Sequence, residues 1–292
     1  MRKLRLFMDN LLLSLKTRKS LHEIIEGESH GVLLIGDRGA GKSYIARMLA
    51  ATIMNIDLKK LDTYAYIVSP DGKSIGIETV RQIQQFLQLK TVGTNRIRRA
   101  IIIEDSESMT TEAQNAILKI LEEPPLDTNI ILTTSQPALL RPTVLSRTQQ
   151  RILHPATKKD SLAYFAPKGH SDSAIEKAFL LSNGQAGLMN ALLSGDEHPL
   201  VQQIERSKML FGMSAYERLL NIEAYAKNRD DLQGLLFACK RIALSAMEGS
   251  AEKNTAKTEA WLKRLKLIVR AEADMQSNPN GKLLLTDLFI NL

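Results

Sequence analysis

Gly31-Val32-Leu33-Leu34-Ile35, followed at once by Gly36-Asp37-Arg38-Gly39-Ala40-Gly41-Lys42-Ser43, is the stretch that decides the fold. An apolar run ends in a glycine-rich turn of the form GxxxxGK[ST], and a helical pattern begins directly after it. Glycines let such a turn curl until its amide N–H groups point inward, and the helix that follows adds the positive end of its dipole. Lys42 is then placed to neutralise β and γ phosphates. Ser43 is placed to ligate magnesium through its hydroxyl, because that ion takes hard oxygen ligands. Residues 36–43 are therefore the candidate site for ATP with Mg2+.

Outward from this loop, residues 31–154 alternate between short β-rich apolar runs and helical stretches, the pattern of a parallel α/β sheet. Strands are expected at 31–35, 65–68, 100–103, 130–134 and 150–153, with helices at 43–53, 78–89 and 111–122. In the last of these helices Ala113, Ala116, Ile117, Ile120 and Leu121 share one face, and Pro124 with Pro125 stops it. From Ser161 onward apolar residues recur at helical spacing, punctuated at Gly184, Gly195, Pro199, Gly212 and Pro279. An α/β domain followed by helical domains is the expected organisation. Residues 247–258, rich in Ala, Glu, Lys, Asn and Ser, read as a solvated loop between helices.

At 292 residues and 44% hydrophobic, the chain is long enough for two or three packed domains. Its net charge of +7 favours acidic partners such as nucleic acid. Cys239 is the only cysteine, so neither a disulfide framework nor a four-cysteine zinc site can be built within the chain, and a reducing compartment is expected. Arg2, Lys3 and Arg5 precede a short apolar run that Asp9 and Asn10 interrupt. That run is too short for a secretory signal, and no later one reaches the length of a membrane span. A cytoplasmic protein with an amphipathic first helix is the expectation, with no membrane partner.

A nucleotide loop of this kind needs a carboxylate at a neighbouring strand end for the magnesium shell and a second acid to orient water. Ile101-Ile102-Ile103-Glu104-Asp105 supplies such an end, with the usual Asp-then-Glu order reversed. Glu104 takes the metal-side role in this reading and Asp105, one methylene shorter, the water-side role. An error in reach near 1 Å can cost about a hundredfold in rate, so weak or absent hydrolysis is expected.

Asn115-Ala116-Ile117-Leu118-Lys119-Ile120-Leu121-Glu122-Glu123-Pro124-Pro125 resembles the NALLKxLEEPP signature of the bacterial clamp-loader ATPases. Pro142 to Arg147 resembles the same family's TILSRC element, with Thr148 where Cys is usual. Residues 75–81 are similar to its segment leading into an Ile/Val-Arg helix, and 277–285 to the NPKLALE-like close of its collar domain. The resemblance, to the delta-prime type of AAA+ subunit in DNA polymerase III, implies a five-stranded core over 1–155, a helical lid over 156–205 and a helical collar over 206–292. It implies partners as well: other loader subunits in a hetero-oligomeric ring, the sliding clamp, and primer-template DNA. No polymerase site is implied in this chain. In such a ring Arg147 acts in trans as an arginine finger on a neighbour's ATP, a role suited to a planar guanidinium that keeps its charge. Thr134 and Ser135, closing the fourth strand, occupy the sensor-1 region.

The loader family contains hydrolysing gamma/tau-type motors and delta-prime stators, and the loop alone does not separate them. The reversed acids favour the stator. Residues 184–190 resemble the lid element in which motors carry a sensor-2 Arg, but Gly187 stands in its place and offers no charged donor. The stop soon after the collar segment is expected of the shorter subunit, and the zinc module common in these subunits is absent from 59–71. A hydrolysing motor and a different AAA+ adaptor or helicase loader stay open. Arg96, Arg98 and Arg99, with Lys263, Arg264 and Lys266, are candidate phosphate contacts, though solvated faces are the better single guess. His30 reads as structural, and Trp261 and Cys239 as core or subunit-contact residues.

Overall fold

The computed structural model describes residues 8, 10–27, 30–70, 74–91, 95–195, 198–226, 229–250, 255–275 and 280–292. Its contacts divide the chain into two units, Met1–Asp160 with Gln185–Gly187, and Ser161–Gly184 with Leu188–Leu292. The second unit takes in most of the residues expected for both lid and collar.

In the first unit, α1 (Leu15–Glu26) starts where the Ser14 side chain accepts a hydrogen bond from the Thr17 amide. The strands are β1 (Gly31–Ile35), β2 (Ala65–Val68), β3 (Arg99–Ile103), β4 (Thr128–Thr134) and β5 (Gln149–Ile152), all parallel in the order β2-β3-β4-β1-β5. Between them run α2 (Lys42–Ile53), α3 (Ile77–Gln88) and α4 (Thr111–Glu122). The five-stranded parallel core expected of an AAA+ fold is present.

Side chains alternate across a strand, so each strand feeds two cores. Val32, Leu34, Ala100, Ile102 and Ile131 pack with Leu21 of α1 and Leu49 of α2 on one face. Leu33, Ile101, Ile103, Ile130 and Leu132 pack with Ile83 of α3 and Ile117 of α4 on the other. Helices on both faces explain why β3 and β4 are buried along their whole length. Gly36, Glu104 and Ser135 follow directly on β1, β3 and β4, so the candidate site lies along the carboxyl ends of the sheet, where open α/β sheets bind ligands.

The second unit is helical: Asp172–Ser182, Pro199–Gly212, Arg229–Ser250, Thr255–Asp274 and Gly281–Asn291 are its longer elements. Leu210, Leu235, Cys239, Ile268, Leu285 and Phe289 form its core. Cys239 is a core residue, and burial pushes its thiol up to about 12. Trp261 packs edge-on to Phe211, and the Arg264 guanidinium lies over the Trp261 ring while donating from Nε to Leu292 O at 3.0 Å.

Three expectations need correction or fall outside the described residues. Residues 247–250 continue the Arg229–Ser250 helix and 255–258 open the next, so no loop spans 247–258. The composition that read as polar loop is also rich in the helix formers Ala, Glu and Lys. Of the expected N-terminal helix, residues 1–7 and 9 are not described; Leu11, Leu12 and Leu13 are buried outside any helix. Ser277, Asn278 and Pro279 of the collar motif also lie outside the described residues. Among the described residues no helix is long and apolar enough to cross a membrane.

Candidate nucleotide-binding site

The loop 36–43 takes the curled form that its glycines allow. Gly39 and Gly41 have φ of 85° and 83°, a region other residues rarely enter. Gly41 is the N-cap of α2 and has no side chain to cap with, so the first amides of α2 keep their donors for a ligand. The turn is fixed by Gly36 N donating to Thr134 O at 3.1 Å and Ala40 N to Asp37 O at 3.1 Å. At Gly36 a Cβ would stand 3.2 Å from those of Ala40 and Leu153, so the start of the loop is packed from both sides.

Lys42 is buried, and its Nζ donates to Ser135 Oγ at 2.7 Å and to Asp37 O at 3.4 Å. Burial lowers its pKa, while Asp105, Glu107 and Asp37 work to keep it charged and Arg38 works against them. Ser43 follows on the first turn of α2 and is partly exposed.

The two acids after β3 part company. Glu104 is engaged on both oxygens: Arg47 Nε donates to Oε1 at 3.2 Å and Ser69 Oγ to Oε2 at 2.8 Å. Asp105 stands in the left-handed region at φ 44°, with its amide donating to Thr133 Oγ1 at 3.0 Å. Its carboxyl pKa is raised, first by desolvation and further by Glu107 and Glu104, against the pull of Lys42 and Arg38. Alternation along β4 separates the expected sensor pair. Ser135 reaches Lys42, whereas Thr134 is fully buried and its Oγ1 accepts from Gln136 N at 3.0 Å.

Glu107, which sequence reasoning missed, joins this group. It sits on the 3-10 turn Ser106–Ser108, and its Oε1 accepts from Ser135 N at 2.9 Å. Its Oε2 is buried and has no hydrogen-bond partner. A curled loop, a buried lysine and an unmatched carboxylate oxygen together fit a magnesium-bearing triphosphate in donor set and charge.

Gln185 and Gly187 also belong to the first unit. Gln185 Nε2 donates to Asp37 Oδ2 at 3.0 Å. A Cβ on Gly187 would come within 2.8 Å of Gly41 N and Cα and 2.9 Å of Gly39 O.

Arg147 lies elsewhere. Its carbonyl oxygen is beside Gly31, at the amino end of β1, whereas Gly36 leaves the carboxyl end. The residue is exposed; Nη2 pairs with Glu122 Oε1 at 2.5 Å and Nη1 donates to Thr143 O at 3.1 Å.

The basic candidates divide as well. Arg99 is buried at 8% side-chain exposure, paired with Asp127 at 3.1 Å and donating to Thr128 Oγ1, Leu87 O and Leu89 O. It is a structural residue. Arg98 pairs with the same carboxylate at 3.2 Å, and His30 meets Thr128 O through Nδ1 at 3.2 Å, a structural contact. Lys263 and Lys266 are exposed.

Residues 16–157 match the family described as "DNA polymerase III, delta subunit". The matched stretch, just under half of the chain, holds the phosphate loop and all five strands of the sheet. The chain is 30% identical over 179 residues to the DNA polymerase III subunit delta' of Bacillus subtilis, a match covering 56% of this chain and 51% of that protein. With the subunit delta' of Escherichia coli it shares 31% over 135 residues, 45% of this chain and 40% of the relative. The gamma/tau subunit of Mycobacterium tuberculosis is 28% identical over 163 residues, 46% of this chain and 26% of that protein. The matches to the two delta' subunits span about half or less of those relatives. A DNA polymerase III gamma subunit-related protein of Thermotoga maritima superposes with a TM-score of 0.54 at 19% identity, covering 94% of this chain and 97% of that one, and so shares the AAA+ fold.

Proposed function

We propose that this chain is the delta-prime-like stator of a bacterial clamp loader, an ATP-binding subunit with little hydrolysis of its own. It works in the cytoplasm in a ring with other loader subunits, which places the sliding clamp on primer-template DNA. ATP with Mg2+, when bound, supplies the phosphate charge that the loop is built to read. Amides of residues 36–43 and Lys42 hold that charge, Ser43 offers its hydroxyl to the cation, and Ser135 stands at the end of β4 to register the terminal phosphate. Asp105 is the acid nearest the water-orienting role, and its strained backbone fits a poor one. Arg147 serves a neighbour, which its position at the far end of β1 from its own loop supports.

The observation that carries the stator reading is the engagement of Glu104. With both oxygens held by Arg47 and Ser69, the first acid after β3 is not offered to the cation, and Gly187 brings no cationic side chain. The test is ATP turnover by the purified chain. Turnover near background, with nucleotide still bound, supports the stator; robust hydrolysis that Lys42→Ala abolishes establishes a gamma/tau-type motor instead. The complete phosphate loop and the gamma/tau similarity are what favour that second reading.

A further inference from the structure

We propose that Glu107 is the acid of this site that faces the cation, its Oε2 accepting a hydrogen bond from the water shell of the divalent ion that accompanies a nucleoside triphosphate. The inference rests on the reading of residues 36–43 as a nucleotide loop and concerns which carboxylate serves it.

Glu107 is held in place from several directions. Ser106, fully buried, donates from Oγ to Thr133 O at 2.9 Å, and Ser108 N donates to Asp105 O at 2.8 Å. Ile75 N donates to Ser108 O at 2.9 Å and Thr110 N to Ile75 O at 3.0 Å, fastening the end of the turn. Through Oε1, Glu107 fixes the amide of Ser135, whose hydroxyl accepts from Lys42. One residue therefore ties Glu107 to the phosphate-binding lysine. Both Asp105 and Glu107 act electrostatically on Lys42, Asp105 the more strongly.

The other oxygen is the informative one. A buried carboxylate oxygen without a donor is costly, and native structures leave few such groups without a reason. Here it lies in a phosphate-binding loop's neighbourhood, where the expected ligand brings donors with it. Magnesium sheds water reluctantly and is commonly held by one or two carboxylates together with substrate phosphates. Glu104 already has Arg47 and Ser69 for its two oxygens. Glu107, by contrast, has a buried oxygen to spare. It does this from a position three residues past Glu104, which explains why a strand-end pair looks complete in sequence and is not.

The test measures ATP affinity of the full chain with Mg2+ and with the metal chelated. Glu107→Gln keeps an amide oxygen for Ser135 N and removes the acceptor and the charge. The natural chain is expected to bind more tightly with Mg2+, and Glu107→Gln to lose about tenfold or more of that gain, while metal-free affinity holds or improves. Glu107→Asp, one methylene shorter, is expected to lose part of the gain and serves if the first variant folds poorly. An unchanged Mg2+ gain in Glu107→Gln overturns the proposal. So does an equal loss with and without metal, which makes Glu107 only a prop for Ser135. If the natural chain binds no nucleotide in either condition and Lys42→Ala behaves identically, the loop reading itself fails, and this inference with it.

Discussion

Lys42 Nζ donates to Ser135 Oγ at 2.7 Å across ninety-three positions of sequence, joining the phosphate loop to the end of β4. With the longer bond to Asp37 O, it gives the buried ammonium its acceptors. Ser135→Ala removes the acceptor but leaves the charge, so nucleotide affinity is expected to fall by about three- to tenfold rather than vanish. Equilibrium titration with ATP measures it, and an unchanged affinity contradicts a role for Ser135 in the site.

Asp127 ties the floor of the sheet together. Burial opposes its ionisation, but the Thr91 hydroxyl and the Arg99 and Arg98 guanidiniums outweigh it and hold its carboxyl below the usual aspartate value. A carboxyl with a depressed folded pKa stabilises the fold fully above its unfolded value, and that contribution is lost as pH falls through the folded one. Stability from this group is therefore constant at neutral pH and declines in acid, below about pH 4. Asp127→Ala leaves Arg99 buried without its carboxylate and is expected to cost about 3 kcal/mol. Denaturant melts at pH 7 and below about pH 4 check both statements, and a variant as stable as the natural chain at pH 7 contradicts them.

Gly187 is fixed by contact as well as by its missing charge. Gly187→Ala places a Cβ 2.8 Å from the Gly41 backbone, which cannot move aside as a flexible side chain would. The expected loss is about 1–3 kcal/mol of stability, seen as a lower thermal midpoint. Gly187→Arg is expected to give no gain in ATP turnover, and a gain would show that the site lacks only a sensor-2 cation.

Arg147 makes a surface ion pair with Glu122, and such pairs contribute about 0–1 kcal/mol. Arg147→Ala should therefore leave the fold and this chain's own nucleotide affinity intact. In the assembled loader it is expected to cut ATP turnover, since an arginine finger contributes roughly a thousandfold or more at the site it serves. Turnover of the assembly unchanged by the substitution removes the trans role.

The strands and the helix bearing the loader signature were legible because local pattern and burial agree there. β1, β2 and α4 fall at the limits that periodicity sets, and Pro124 with Pro125 ends α4 one residue after its C-cap. Gln114, between the apolar positions of α4, was not legible. It is buried because its amide serves Met109 O, Leu139 O and Arg141 N, partners that other elements bring. Arg99 reads like its neighbours Arg96 and Arg98 until Asp127, twenty-eight positions on, is folded against it. Glu107 was hidden for the same reason, since Ser135 is also twenty-eight positions away and the left-handed turn at Asp105, just ahead of Glu107, redirects the chain as it leaves β3. Loops that carry chemistry are read from their own residues; the groups that complete them arrive by tertiary contact.

Calorimetric titration of the chain with ATP and Mg2+, beside Lys42→Ala, tests the central claim most directly. The natural chain is predicted to bind one nucleotide, and the variant to lose about a hundredfold or more in affinity, as expected from removing a charge-assisted phosphate contact. No binding by the natural chain, or equal affinity in the two, contradicts the account.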